Sequence, residues 1–496
     1  MMRRGILGID EGSTGTRAAI VGEDGACGPS FYAPIDVVHR GPTHVEQDPM
    51  QLLHKTIEVA RQALAWAGDS GVEIVALSLC TQRATAILWD RLTGQPLAPA
   101  VVWQDSRYAE ELARLAADWD PILWARTGRP VGTRSPFLWA ARRLESLDLP
   151  ASRIGFGSVD TWLVWNLTGR ATHAISATNA VAFGGYLLTE HRWDTSWFDA
   201  VGFPAELAPP LADDDADYGR TDAGLLGIEV PIAAVMGDQH ASLIALGALT
   251  PGEAMCVHGT GTFVGALAGP RPPTGIGAID GVLCLVGWRA GGHSQFSLEA
   301  YTSTTGSALR WLTEDMRIFA SAAEISALAA GQPRGDESWF IPNLAGLRTP
   351  VQAPEARGHL IGLSLGTTRE SLARTVIDGI AHAVSDTVEA VGSTVGRPLA
   401  HLRVGGGLAA SDALLASQAD FTGVPIERVT DSATASLRGG AYLAGTRLGL
   451  WDSPAQVVGD QKPGDVFEPR LSPADRHDLR QRWRDVLTAS LPPTPV

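Results

Sequence analysis

The chain has 496 residues, 45% of them apolar, and a formal net charge of −15. That length exceeds one ordinary core and leads us to expect two large domains, and an acidic balance with no run of Lys or Arg excludes a nucleic-acid-binding face. Four cysteines without CxxC spacing (Cys27, Cys80, Cys256, Cys284) read as reduced, buried thiols of a cytoplasmic protein; Asp10 and Glu11 interrupt any secretory segment, and no run approaches the ~20 apolar residues of a membrane helix.

From the N-terminus, Gly5 to Ile9 reads as a strand, followed by the turn Asp10-Glu11-Gly12-Ser13-Thr14-Gly15-Thr16-Arg17 and a returning run, Ala18 to Val21. Such a turn is either ordinary hairpin chemistry or a phosphate cradle with Asp10 on a metal ion; it is not a Walker A loop, because GxxxxGK(S/T) is missing and no helix pattern follows. Asp48-Pro49 caps a helix running to about Trp66. Glu73 to Cys80 is a buried strand delivering Thr81-Gln82-Arg83, and Ala86 to Trp89 and Ala100 to Trp103 are further strands, the second ending in Trp103-Gln104-Asp105. Polar residues repeated at strand ends are the pattern of a ligand crevice in an open α/β sheet. Arg107 to Glu145 reads as helical, and Ser158 starts a helix through Trp165. The acidic cluster Asp213, Asp214, Asp215 and Asp217 fails the EF-hand spacing, with Tyr218 and Gly224 where glycine and glutamate would stand, and reads as a solvated loop.

The centre of the chain is Ala233 to Phe263, where an apolar run ends in Asp238-Gln239 and a Gly259-Thr260-Gly261-Thr262 turn follows. An aspartate leaving a strand can accept a proton or hold a metal, and a Gly/Thr turn can lay backbone N–H groups against phosphate. Strands at Phe263 to Leu267, Gly281 to Trp288 and His293 to Leu298 come next, then a helix from Tyr301 to Met316. A long helix from Thr368 to about Val391 carries Leu372, Val376, Ile380, Val384 and Val388 as a packing stripe. The strand Leu402 to Val404, the glycines Gly405-Gly406-Gly407, a helix Ser411 to Thr422, another from Ala435 to Leu448 and a terminal one from Pro473 to Leu491 complete the pattern. Both halves thus open with strand, Gly/Ser/Thr turn and returning strand, an architectural repeat that implies two related domains and a ligand cleft. The boundary falls near Leu249 to Gly252, giving an N-terminal domain 1–249, a C-terminal domain 250–452 and a helical tail 453–496.

In order along the chain stand GIDEGSTGTRA, SLCTQRAT, AVVWQDSR, GSVDTWLVWNLTG, MGDQHAS, HGTGTFV, ARGHLIGLSLGTT, LRVGGGLAASDALLASQADFTGVPI and GGAYLAG. Together they make the sequence resemble the FGGY family of carbohydrate kinases, most closely its glycerol kinase branch, from about Gly5 to Leu448. The resemblance implies an α/β fold of two actin-like (ribonuclease H-like) domains with ATP and Mg²⁺ between them, a small polyhydroxy substrate, and a homodimer or homotetramer. It makes Asp238 the catalytic base, and Asp10 with Asp238 the carboxylates near the metal. It places nucleotide contacts at Ser13, Thr14, Gly15, Arg17, Thr260, Gly261, Gly306, Arg310, Gly407 and Ser411, and acceptor contacts at Arg83, Trp103, Gln239 and Phe263. Each has a plainer reading: Ser411 as a helix cap, Trp103 and Phe263 as core aromatics, Gly306 as a close-packing glycine.

The sequence departs from the glycerol kinase pattern at Ala84, where those enzymes carry a glutamate, and at Val131, where they carry a tyrosine. Loss of polar partners for a hydroxyl changes acceptor discrimination, so another polyol, a tetritol or a pentulose stays open beside glycerol. Glu11 replaces a glutamine and Gly405 an aspartate, and the segment before Asp238 lacks the basic loop through which some relatives bind fructose bisphosphate, so that regulation is expected to be absent. Two other readings compete. Gly362 to Gly366 matches GxSxG, with Ser364, Asp378 or Asp412, and His477 in hydrolase order, although Ser364 does not open the helix that follows. A non-catalytic actin-like nucleotide-binding protein would keep the turns and need no base at Asp238. A dinucleotide-binding dehydrogenase is disfavoured, as neither turn has GxGxxG opening a helix.

Overall fold

The structure is a computed structural model and describes residues 3–335, 338–459 and 464–492. The chain forms two compact units, one of Met1–Ala245, Cys284–Phe296 and Thr434–Gln461, the other of Leu246–Leu283, Ser297–Ala433 and Lys462–Val496.

In the first unit a five-stranded sheet runs in the order Ile232–Gly237, Val72–Thr81, Arg3–Glu11, Gly15–Gly22, Phe31–Pro34. Arg3–Glu11 turns back on Gly15–Gly22 as an antiparallel hairpin, with Asp10 opposite Arg17, and pairs in parallel with Val72–Thr81, which pairs in parallel with Ile232–Gly237. The central strands are apolar on both faces, as strands covered on both sides are: Leu7, Ile9, Leu77, Leu79 and Val235 are buried. Helix Pro49–Asp69 begins where Asp48 accepts the Met50 N–H and proline takes the first helical position, and it buries Leu52, Val59, Ala60 and Ala63. Helix Ala435–Arg447 also belongs to this unit. Its Gly439 and Gly440 permit the approach: a Cβ at Gly439 would lie 1.8 Å from the Ala241 carbonyl oxygen, and one at Gly440 2.5 Å from the Cys80 sulfur.

The second unit repeats the strand order. Ile426–Arg428, His401–Gly406, Glu253–His258, Thr262–Gly269 and the part of His293–Thr302 from Ser297 onward are successive neighbours in a sheet extended beyond Ile426–Arg428 by Val466–Phe467. Glu253–His258 is antiparallel to Thr262–Gly269 and parallel to His401–Gly406, and His401–Gly406 is parallel to Ile426–Arg428. The architectural repeat inferred from two strand–turn–strand openings is therefore present as a shared topology. Helix Arg369–Val395 starts at a Thr368 capping box and buries Val376, Ile380, Val384 and Val388 of the expected stripe, with Leu372 in its first turn only half-buried. Helix Pro473–Ala489 is pinned to it by Arg480, which pairs with Asp386 and Glu389.

Several expectations need correction. The helical stretch 107–145 is two helices, Ala109–Thr127 and Pro136–Leu144, because Gly128 adopts a left-handed cap at φ 69° and Ser135 caps the second. The helix expected from Tyr301 begins only at Gly306, since the preceding strand continues to Thr302. The strand entering Trp103 ends at Val101. The acidic cluster is not a solvated loop: Asp214 is fully buried, accepting from the Thr178 hydroxyl and N–H and from the Arg289 N–H, and burial pushes its carboxyl up to about 7. Among the described residues no helix is long and apolar enough to cross a membrane.

Candidate active site

Three parallel strands of the first unit end in register, Glu11 beside Thr81 and Thr81 beside Gly237, so whatever follows each strand emerges at one edge of the sheet. That edge collects the Gly12–Thr14 turn, Gln82-Arg83 and Asp238. Asp238 is the first residue of helix Asp238–Ala245, directly after strand Ile232–Gly237. Its Oδ1 accepts its neighbour Gln239's N–H at 2.7 Å and lies 3.5 Å from Arg83 Nε. Gly237 allows this approach, because a Cβ there would sit 2.8 Å from the Arg83 side chain. His240, buried on the same turn, is held neutral, its ring pushed well below the usual histidine range by burial and then by Arg83.

Asp10 stands at the end of its strand across from Arg17. Burial, and next the charge of Asp238, push its carboxyl up to about 7, against the opposing pull of Arg17 and a hydrogen bond with Ser436. Two neighbouring carboxylates that disfavour each other's charge favour a cation between them. Among the described residues no group of three His, Cys, Asp or Glu side chains converges as a metal cage. That donor set fits Mg²⁺, which takes one or two carboxylates and completes its shell with water and phosphate oxygens.

The hairpin turn is closed by a bond of its own and held by three partners outside it. Gly12 N–H donates to the Gly15 carbonyl at 3.0 Å, Trp103 Nε1 donates to Ser13 Oγ at 2.8 Å, Gln47 to the Ser13 carbonyl at 2.6 Å, and Tyr32 O–H to the Thr14 carbonyl at 3.1 Å. Arg17 lies over the Tyr32 ring, 5.6 Å from its centroid. Gln82, fully buried, donates to Gln47 at 3.0 Å and accepts from Thr85 at 2.9 Å. Ser13, Thr14, Gly15, Arg17, Arg83, Trp103, Asp10, Asp238 and Gln239 are thus all in the first unit, and Trp103 is no mere core aromatic: its indole fixes the turn.

In the second unit the parallel strands Glu253–His258 and His401–Gly406 end level, His258 beside Gly406, and each continues into a glycine turn. Gly259 and Thr260 are exposed, and the carbonyls of both are taken from behind: Gly306 N–H donates to Gly259, and Thr305 and Ser307 N–H to Thr260. A Cβ at Gly306 would lie 2.3 Å from the Gly259 oxygen, so this glycine supports the turn. Gly407 opens a short 3-10 turn with empty space where a Cβ would go. Ser411 caps helix Asp412–Thr422, accepting from Leu414 N–H at 3.2 Å, which is its plainer reading. Arg310 is exposed, and Phe263 stacks on Tyr301 at 5.2 Å.

Residues that pattern reading missed are Ser436, Tyr301 and Asp214. Ser436 lies just before the glycine pair of a recognisable motif, but nothing local announces that its helix returns to Asp10. The hydrolase constellation is not assembled among the described residues: Ser364 is exposed and accepts its own turn's Gly366 N–H, Asp378 is bound to Arg374 and Ser417, Asp412 pairs with Arg428, and His477 is exposed on a helix surface.

Models of the FGGY family of carbohydrate kinases match residues 5–245 with the N-terminal domain and residues 254–448 with the C-terminal domain. A glycerol kinase of Thermus brockianus is 35% identical over 97% of this chain and 97% of its own. One of Citrifermentans bemidjiense is 34% identical over 98% of each. Among solved structures, that of Plasmodium falciparum glycerol kinase with ADP matches with a TM-score of 0.90 at 23% identity, covering 99% of both chains. A xylulose kinase from Rhodospirillum rubrum matches with a TM-score of 0.85 at 22% identity, covering 98% of this chain and 99% of that one. At those identities the structural likeness bears on the fold.

Proposed function

Because the chain belongs to the FGGY family of carbohydrate kinases, we propose that it transfers the γ-phosphoryl group of ATP to a primary hydroxyl of glycerol or a related small polyol or ketose, with Asp238 as general base. The observation that carries the reading is the position of Asp238: a carboxylate at the sheet edge where three parallel strands end, beside Arg83 and next to a glycine turn. Its carboxylate accepts the hydroxyl proton as the acceptor oxygen bonds to γ-phosphorus and the bond to the β-phosphate bridge breaks, releasing ADP.

Other residues take supporting roles. The turn at Ser13, Thr14 and Gly15 offers backbone N–H groups to phosphate, with Ser13 and Thr14 adding hydroxyls and Arg17 a charge, and the Thr260-Gly261 turn of the second unit offers its own backbone N–H groups. Gly306 shapes that second turn, and Arg310, Gly407 and Ser411 line the nucleotide side. Arg83, Trp103, Gln239 and Phe263 bind the acceptor. Asp10 and Asp238 would hold Mg²⁺, whose charge, when bound, offsets that of the β- and γ-phosphates. We place this reaction in the cytoplasm.

The test is Asp238→Asn, assayed by acceptor-dependent ADP release. Turnover should fall by about 10² or more while ADP affinity, measured by calorimetry, stays within a few-fold. Undiminished turnover removes Asp238 from the role.

A further inference from the structure

Behind the Gly259-Thr260-Gly261-Thr262 turn of the second unit lies a run of buried polar side chains to which the reaction above gives no role. His258, at the end of its strand, is fully buried. Its Nδ1 lies 2.8 Å from the Thr262 hydroxyl oxygen, and its Nε2 lies 3.1 Å from Gln418 Oε1. The Thr262 and Thr305 hydroxyl oxygens are 2.9 Å apart, and Gln418 Nε2 donates to Cys256 Sγ at 3.6 Å. Thr262, Thr305, Gln418 and Cys256 are buried as completely as the histidine.

The direction of these bonds follows from the donors and acceptors present. Burial pushes the His258 imidazole down to about 4, so near neutral pH the ring is uncharged and has one N–H to give. A glutamine Oε1 only accepts, which puts that hydrogen on Nε2 and leaves Nδ1 to take the hydrogen of the Thr262 hydroxyl. The Thr262 oxygen in turn accepts from Thr305, and the run ends with the Gln418 amide on a thiol. Every member is paired, and a fully paired buried run fixes its side chains where a half-paired one would not.

This run reaches the elements that the nucleotide reading uses. His258 and Thr262 face each other across the mouth of the turn as a strand pair. Thr305 donates its own main-chain N–H to the Thr260 carbonyl at 3.2 Å and directly precedes Gly306. A Cβ at Gly261 would lie 2.6 Å from the Thr302 carbonyl oxygen, so the turn rests against the chain that leads to Thr305. Gln418 stands on helix Asp412–Thr422, the helix that Ser411 caps. One imidazole therefore joins the second glycine turn to the helix on the nucleotide side.

We propose that His258 is a positioning residue for the nucleotide: without touching phosphate itself, it locks the Thr260-Gly261 turn to helix Asp412–Thr422 in the arrangement that binds the nucleotide's phosphates. A turn fixed beforehand loses less freedom when the ligand binds, and affinity rises accordingly. The proposal rests on the nucleotide-binding reading of that turn and adds the buried group on which the turn depends. A residue that served stability alone would lower the yield of active enzyme for both substrates alike, whereas a positioning role is felt by the nucleotide.

The experiment measures ADP binding by calorimetry, and KM for ATP and for the acceptor by ADP release, with the best of glycerol, erythritol and xylulose as acceptor. In His258→Phe, which keeps a ring and removes both bonds, Kd for ADP and KM for ATP should rise at least tenfold while KM for the acceptor stays within threefold. His258→Gln, which can still accept from Thr262 and donate to Gln418, should recover at least threefold of the lost ADP affinity. Thr262→Val removes one link, should weaken ADP binding at least threefold, and decides the matter if the histidine variants do not fold. Unchanged ADP affinity in the folded variants, an acceptor KM that rises as much as that for ATP, or a Gln variant as weak as the Phe variant overturns the proposal. ADP release that depends on no acceptor overturns the kinase reading alone, because the calorimetric comparison still decides the role of His258. A wild-type protein that binds no ADP overturns both.

Discussion

Glu11 is a charged residue in a place that refuses charge. It is fully buried at the end of the first strand, accepting from Thr56 at 2.7 Å, with Thr16 beside it as a second hydroxyl. Burial pushes its carboxyl up to about 8. An unfolded glutamate ionises near pH 4.3, so between about pH 4 and 8 the folded chain keeps a proton that the unfolded chain gives up. The stability held by neutral Glu11 is complete below that window and is lost as pH rises through it. Glu11→Gln removes the loss: in the ligand-free protein its denaturation free energy should exceed that of wild type by about 1 kcal/mol or more at pH 8 and by little at pH 5. Denaturant titrations at the two pH values check this, and parallel curves for the two proteins would refute it. At this scale the sequence was informative where chemistry is local, as for Asp238 at a strand end or the Gly/Thr turn. It was silent where a partner comes from afar, as Ser436 does to Asp10 or Arg289 to Asp214, because no spacing rule connects them.

Elements were legible where one period ran unbroken. The helix Arg369–Val395 follows its apolar stripe, and the parallel strands follow their continuous apolar runs. Reading failed where two signals met within a few residues: 107–145 hides a left-handed glycine between two helices, and Tyr301 lies on a strand that ends just before a helix starts. Close packing of helix Ala435–Arg447 gives the test at this scale. Gly439→Ala drives a methyl group into the Ala241 backbone, which cannot swing away as a side chain would, and overpacking of that kind costs about 1–3 kcal/mol. Gly68→Ala, in helix Pro49–Asp69 with nothing near its Cβ, should instead stabilise by about 0.5–1 kcal/mol through helix propensity. Urea midpoints of the two variants should therefore move in opposite directions, and a neutral Gly439→Ala would disprove the close approach.

For the whole molecule, composition and the doubled strand–turn–strand opening gave the number of units and their shared topology. They did not give the interleaving of chain segments, since a helix carries no mark of which sheet it will cover. The first unit takes helix Ala435–Arg447 from a segment that lies in the chain between the second unit's strands Ile426–Arg428 and Val466–Phe467. A fragment ending at Ala245 lacks that helix and leaves Gly8, Cys80 and their neighbours short of cover, so it should show no cooperative thermal transition, and a peptide spanning Thr434 to Gly459 should restore one. A fragment that melts cooperatively alone would contradict this. The same interleaving sets a timetable on the ribosome. Asp10 and Asp238 are made before the serine that holds Asp10, which arrives only when synthesis has passed residue 436, so a nascent chain carries both acidic groups for a long stretch of its growth before Asp10 has that partner. Under the proposed kinase reading, a product truncated upstream of that helix should therefore show no acceptor-dependent ADP release.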